Sequence, residues 1–222
     1  KQCKFTCNSK NSYLKIVATH IYQFKIPMVP FTIATGTMHY AQNILIQITT
    51  DEGITGYGEC SAFPMIVGET QQSCYLLAKD FASYWKGKNP LAITERLNEL
   101  DLIIAGNYTA KSAFDMALYD IAAKHANQPL YAFLGGQQKS IESDLTIGID
   151  TPQNMAGQAI DFVAKGVRII KVKLGKHPTE DVERIKAIRT AIGDEIILRI
   201  DANQGWSSDD ALGVLTNLSK YT

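Results

Sequence analysis

Ile169-Ile-Lys171-Val-Lys173-Leu-Gly175 and Leu198-Arg-Ile-Asp201-Ala-Asn203-Gln-Gly-Trp206 are two short apolar runs that each end in polar and charged groups. In an extended strand residues i and i+2 share a face, so Lys171 and Lys173 project together, as do Asp201 and Asn203. Two neighbouring ammonium groups repel, which predicts a lowered pKa for each and a base able to work near neutral pH. An aspartate where the next strand ends is suited to hold a divalent metal that stabilises an enolate. Together the two phrases predict metal-assisted proton abstraction.

Around them the chain alternates strand, helix, strand, helix. Strands begin near Ile141, Val167 and Glu195, a spacing of 26 to 28 residues, which is the size of a βα step. Each following helix has a start signal: Thr151-Pro152, then Pro178, then Ser207 with Asp210 three residues on as a capping-box variant. This alternation predicts parallel strands with helices packed outside them. Periodicity leaves both an open doubly wound sheet and a barrel available. The charged groups at the C-terminal ends of successive strands favour the barrel, where such enzymes keep their chemistry.

The first half has a different grammar. Leu14 to Ile26, Gln42 to Thr50 and Ile54 to Glu59 are rich in β-branched residues, and Asp51-Glu52-Gly53 is a turn signal, so a three-stranded meander is expected. Pro27 to Tyr40, carrying Phe31, Thr35 and Gly36, reads as a long loop of the kind that forms lids or binding loops. Glu69 to Trp85 and Ala92 to Ile104 are predicted helices. A third is expected from Thr109 as N-cap, with Ala110, Ala113, Phe114, Ala117, Leu118, Ile121 and Ala122 on one small, apolar face that a neighbour can approach closely. The Pro129 to Gly136 stretch ends it. Gly56-Tyr-Gly58-Glu59 is too short for a nucleotide loop and reads as a strand end feeding a second loop around Pro64 to Gly68.

The 222 residues, 45% apolar and 20% charged, suffice for one large or two small globular domains. Lys plus Arg and Asp plus Glu balance at 22 each, so there is no electrostatic footprint for nucleic acid or an anionic membrane. No apolar run approaches the ~20 residues of a membrane span. Cys3, Cys7, Cys60 and Cys74 lack C-x-x-C or zinc spacing and read as free thiols, which suits a cytoplasmic protein. The chain starts at Lys1, and the polar segment Lys1 to Ser12 reads as a tag scar, a disordered arm or the mature end of an exported protein.

The helix segment Ala110-Lys-Ser-Ala-Phe-Asp-Met-Ala-Leu-Tyr-Asp120, followed by Pro129-Leu130 and Leu134-Gly135, the Lys171-x-Lys173 pair and Asp201-Ala-Asn203-Gln-Gly-Trp206, resembles the enolase superfamily in its muconate-lactonizing branch. Within it the resemblance is greatest to dipeptide epimerases of the Ala-Glu type. It implies an α+β capping domain, residues 13–136, followed by the first three βα units of a modified (β/α)7β TIM-like barrel, residues 137–222, with the barrel incomplete in this chain. It also implies a Mg²⁺-dependent isomerase acting on a dipeptide through an enolate, a mechanism general to that superfamily. A homo-oligomer is compatible with this reading.

Carried over by position, Lys173 is the acid/base on one face of the substrate, and Lys171 is the neighbour that tunes it and meets the substrate carboxylate. Asp201 is the first of three metal ligands, Asn203 supports it, and Thr146, Phe31, Thr35 and Gly36 contact substrate. Two departures follow. The capping loop of Ala-Glu epimerases carries an arginine for the acidic side chain, and Gly36 stands at the matching position. The chain also stops at Thr222, about five residues before the second metal ligand by spacing, so by itself it is expected to be inactive and to hold Mg²⁺ weakly. Two alternatives stay open: o-succinylbenzoate synthase or muconate cycloisomerase chemistry on the same residues, and a non-catalytic binding module.

Simpler readings stand beside these. A lone K-x-K is usually a solvated strand edge, Asp201 could be a turn former, and Trp206 could be a core anchor. His20, His39, His125 and His177 have no partner at ligand spacing and read as ordinary.

Overall fold

A computed structural model describes residues 13–219 and 221. The Lys1 to Ser12 segment with Cys3 and Cys7, Lys220 and the terminal Thr222 lie outside the described residues. The chain divides into two compact units, one comprising residues up to Ile26 with Ala41–Gln138, the other Pro27–Tyr40 with Lys139 onward. Pro27–Tyr40, which the sequence reading places in the capping domain, thus clusters with the second unit.

The first unit is built on β1 (Ile16–Ile33), β2 (Gly36–Thr50) and β3 (Thr55–Ala62), in that order across one sheet. The expected meander is there, but Pro27 to Tyr40 is not a loop. It is a β-ribbon with a two-residue turn at Ala34 and Thr35. Pro27 and Pro30 suggested a break, yet β1 is an edge strand, where a residue without an N–H is tolerated. Ile44, Ile46 and Ile48 alternate inward at 0–1% exposure.

Helices α1 (Pro64–Val67), α2 (Gln71–Trp85), α3 (Ile93–Ile103), α4 (Tyr108–His125) and α5 (Leu130–Phe133) follow. The loop expected around Pro64 to Gly68 is mostly the single turn of α1. Phe81, Trp85, Phe114, Leu118 and Ile121 join the isoleucines in one core. Every residue of the predicted α4 face is buried. Gly56 and Gly58 sit inside β3, opposite Ile48 and Ile46, not at its end. A Cβ on them would stand 2.2 Å from the Ala117 carbonyl oxygen and 1.8 Å from that of Ala113, so the helix backbone lies almost directly on the glycines.

Thr109 does not cap α4. The N-cap is Asn107 in the left-handed region at φ 55°, with no side-chain cap bond. Instead the buried Glu69 carboxylate accepts from the N–H groups of Thr109 (3.1 Å) and Ala110 (3.2 Å), an anion at a helix N-terminus supplied from elsewhere in the chain. Cys60 and Cys74 are free and buried, and burial pushes both thiols up. No helix among the described residues is long and apolar enough to cross a membrane.

In the second unit β4 (Leu145–Ile147), α6 (Pro152–Ala164), β5 (Ile169–Lys173), α7 (Pro178–Ile192), β6 (Ile197–Asp201) and α8 (Ser208–Leu218) alternate. The three strands pair parallel in the order β4-β5-β6. The first strand starts at Leu145, four residues after Ile141, which is 80% exposed. Thr151 accepts from the Asn154 N–H, and Ser207 and Asp210 form the reciprocal capping box. Ile147, Ile170 and Val172 face Met155, Ala159, Ile185 and Ile188 of the helices. Strand alternation therefore leaves Thr146, Lys171, Lys173, Arg199 and Asp201 on the opposite face.

Candidate active site at the ends of the parallel strands

Register brings the predicted residues together. Lys173 pairs with Asp201 across β5 and β6, and Lys171 pairs with Thr146 on one side and Arg199 on the other. Both ammonium groups converge on one carboxylate oxygen: Lys173 Nζ lies 2.7 Å and Lys171 Nζ 2.9 Å from Asp201 Oδ2. The Asn203 N–H donates to Asp201 Oδ1 at 2.9 Å. Lys173 has 11% of its side chain exposed against 33% for Lys171, so one amine is sheltered and one is open.

The electrostatics correct the sequence expectation. Repulsion between the lysines does not govern Lys171, because an anion stands between them. The hydrogen bond that Lys171 donates to the Asp201 carboxylate holds its ammonium above its ordinary pKa. In return Lys173 first, then Lys171, hold the Asp201 carboxyl far below the usual carboxylate range, against a smaller opposing effect of burial.

The capping ribbon reaches the same face within this unit. The Ile149 N–H donates to the Thr32 carbonyl at 2.9 Å. Phe31, Thr32, Thr146, Gly148 and Ile149 line a recess of about 510 Å³. Phe31 and Thr146 thus meet at one cavity, whereas Thr35 is exposed at the turn and Gly36 begins β2, neither lining it.

As a magnesium site, Asp201 supplies hard anionic oxygen. The Asn203 Oδ1 is buried with no hydrogen-bond partner among the described residues, on a backbone held in the left-handed region at φ 46°. Hard oxygens suit Mg²⁺. Among the described residues no three His, Cys, Asp or Glu side chains converge, so these donors fit one part of a magnesium shell.

Sequence reasoning passed over Arg199, whose Nη1 lies 2.9 Å from Asp144 Oδ2, and Asp181, fully buried behind the site. Arg199 was visible as the residue two before Asp201 on the same face. Asp181 carried no comparable signal, since an acid in a helix's first turn is common.

The sequence profile of the mandelate racemase / muconate lactonizing enzyme N-terminal domain matches residues 16–135. The chain belongs to that family. A second profile, the enolase C-terminal domain-like one, matches residues 154–222. Among relatives within the mandelate racemase / muconate lactonizing enzyme family, the D-Ala-D/L-Ala epimerase of Cytophaga hutchinsonii is 45% identical over 210 residues, 93% of this chain and 57% of its own length. The dipeptide epimerase structure from the same organism, complexed with Mg and D-Ala-L-Val, superposes with a TM-score of 0.92 at 44% identity, covering 94% of this chain and 57% of that one. That of Enterococcus faecalis, complexed with Mg and L-Leu-L-Tyr, gives 0.91 at 38%, covering 94% and 59%. The chain spans a little over half the length of the relatives it matches. In enolase-superfamily terms it carries the antiparallel capping sheet and the first parallel strands of the barrel.

Proposed function

We propose that the chain carries active-site residues of a Mg²⁺-dependent dipeptide epimerase that removes and returns the proton α to a carboxylate. The observation that carries this reading is the convergence of Lys171 and Lys173 on Asp201 at the C-terminal ends of adjacent parallel strands. Lys173, the sheltered amine, is the acid/base on one face of the α-carbon. To accept a proton it must release Asp201 and stand as the neutral amine. Lys171 stays an ammonium and stabilises negative charge growing on the substrate carboxylate. Thr146 and Phe31 shape the adjoining recess. Asp201 would hold Mg²⁺, supported by Asn203, and the ion when bound supplies Lewis-acid stabilisation of an enolate.

We read the substrate as a dipeptide whose second residue is small or apolar. Between Phe31 and Tyr40 the ribbon offers no lysine or arginine to meet a side-chain carboxylate, and a buried carboxylate needs such a partner. The two structures bound to D-Ala-L-Val and L-Leu-L-Tyr support that choice. The test is a dipeptide library incubated in D₂O with Mg²⁺ and a full-length protein that carries this chain, read by mass shift. Incorporation of one deuteron at the α-carbon with Ala-Ala preferred is expected. A tenfold preference for Ala-Glu refutes the specificity reading, and no incorporation with any dipeptide refutes the activity.

A further inference from the structure

Three loops on the face that carries the ammonium pair are tied to one buried ion pair. Asp181, in the first turn of α7, is 0% exposed, and its Oδ1 accepts from Arg184 Nη1 at 2.8 Å. Its Oδ2 accepts twice: from the Gly175 N–H after β5 at 2.8 Å, and from the Trp206 indole N–H after β6 at 2.8 Å. Arg184 Nε donates to the carbonyl of Asp150, after β4, at 2.8 Å. One carboxylate and one guanidinium thereby reach the loops that follow all three strands.

Two of these loops touch where side chains are missing. A Cβ on Gly175 would stand 2.1 Å from the Ala202 carbonyl oxygen, and one on Gly205 would stand 2.1 Å from that of Gly175. The same two positions would press on Ala34 Cβ, at 3.1 and 2.8 Å. The turn of the β1–β2 ribbon therefore rests in the notch that the two glycines leave open.

We propose that Asp181 is a positioning residue. By holding Gly175 and Trp206 on one oxygen it sets the spacing of the loops that follow Lys173 and Asp201, and so builds the seat on which the ribbon's turn rests. Its influence on turnover rests on the epimerase reading; its influence on the seat does not. Small displacements of groups that orient a substrate are costly in rate, so a loosened seat acts on turnover more than on binding.

Trp206→Phe keeps an aromatic side chain and removes the indole N–H donor together with part of the ring system. Hydrogen exchange of the whole chain should show the Gly175 amide and residues 33–36 exchanging at least tenfold faster, with the interior of α7 as protected as before. Ser207→Ala, which removes the neighbouring α8 cap without touching Asp181, should leave those amides unchanged. In the D₂O assay Trp206→Phe should lower kcat at least tenfold with KM within twofold. Unchanged protection at Gly175 and the turn, the same change in Ser207→Ala, or a fall in kcat/KM carried by KM overturns the proposal. If Trp206→Phe does not fold, Asp181→Asn is read by the same measurements, and if neither folds, Asp181 holds the unit as a whole and the assignment falls. Absence of turnover in the wild type counts against the epimerase reading alone, since exchange still decides the seat.

Discussion

Asp201 holds two cations on one oxygen, and its removal separates the roles of the three charges. With its folded pKa depressed by Lys173 and Lys171, Asp201 contributes stability above its unfolded value near 3.9, and that contribution is lost as pH falls through the folded value. Asp201→Asn is expected to be less stable by about 1 kcal/mol at pH 7, the scale of partly exposed ion pairs. The difference should shrink as the medium is acidified below about pH 4. Urea midpoints between pH 2 and 7 check this, and a gap that stays constant counts against it. The same variant leaves Lys171 and Lys173 facing each other without an anion, so the Lys171 pKa should fall. Lys173→Ala is a different experiment. Made in a full-length protein that carries this chain, it should keep the fold by circular dichroism and lose roughly 10² to 10⁴ or more in α-proton exchange, the span of a general base. Wild-type exchange in that variant would remove Lys173 from the chemistry.

Among elements, the contact of α4 on β3 is the most sharply determined. Gly58→Ala would drive a Cβ to 1.8 Å from a helix carbonyl oxygen. Overpacking of this kind costs about 1 to 3 kcal/mol or more, and the upper end is expected because the obstacle is backbone that cannot rotate away. Gly53→Ala, in a turn at φ 81° with nothing within 4 Å, should cost only about 1 kcal/mol, from its backbone conformation. Equilibrium denaturation of the two variants measures the contrast. The small face of α4 was legible in the sequence, as were the parallel strands and the Lys171, Lys173, Asp201 cluster, because each rests on a local period. What was not legible depends on partners far away in the chain. Pro27 and Pro30 read as loop residues until β1 is known to be an edge. Thr109 reads as a cap until Glu69, 40 residues earlier, takes the helix's N–H groups. The lowered pKa expected of Lys171 follows from a neighbouring cation and reverses once Asp201, 28 residues beyond Lys173, lies against it.

At the level of the whole chain, two hydrophobic cores share no residue: one around Ile44, Phe81, Trp85 and Phe114, the other around Ile147, Ile170, Val172 and Ile188. A chain with two cores need not unfold in a single step. Calorimetry is expected to resolve two transitions, with Gly58→Ala lowering one and leaving the other within about 2 °C, against the 4–8 °C that 1 kcal/mol moves a small domain. A single transition displaced as a whole by that substitution would show the cores to be one cooperative unit.

The resting place of Ala34 between Gly175 and Gly205 also sets a clock on biosynthesis. Chains emerge N-terminus first at about 5–20 residues per second, so the ribbon's turn leaves the ribosome roughly 10 to 30 s before the loop at Gly205 that receives it. During that interval β1 and β2 can pair with each other, but the end of the ribbon, with Val29 88% exposed even in the finished fold, has nothing to dock on. An extended apolar edge left waiting is a template for intermolecular pairing, and because N–H groups alternate between the two sides of a strand, Pro27 and Pro30, three apart on β1, leave its free side short of one of the N–H groups a passing strand would need.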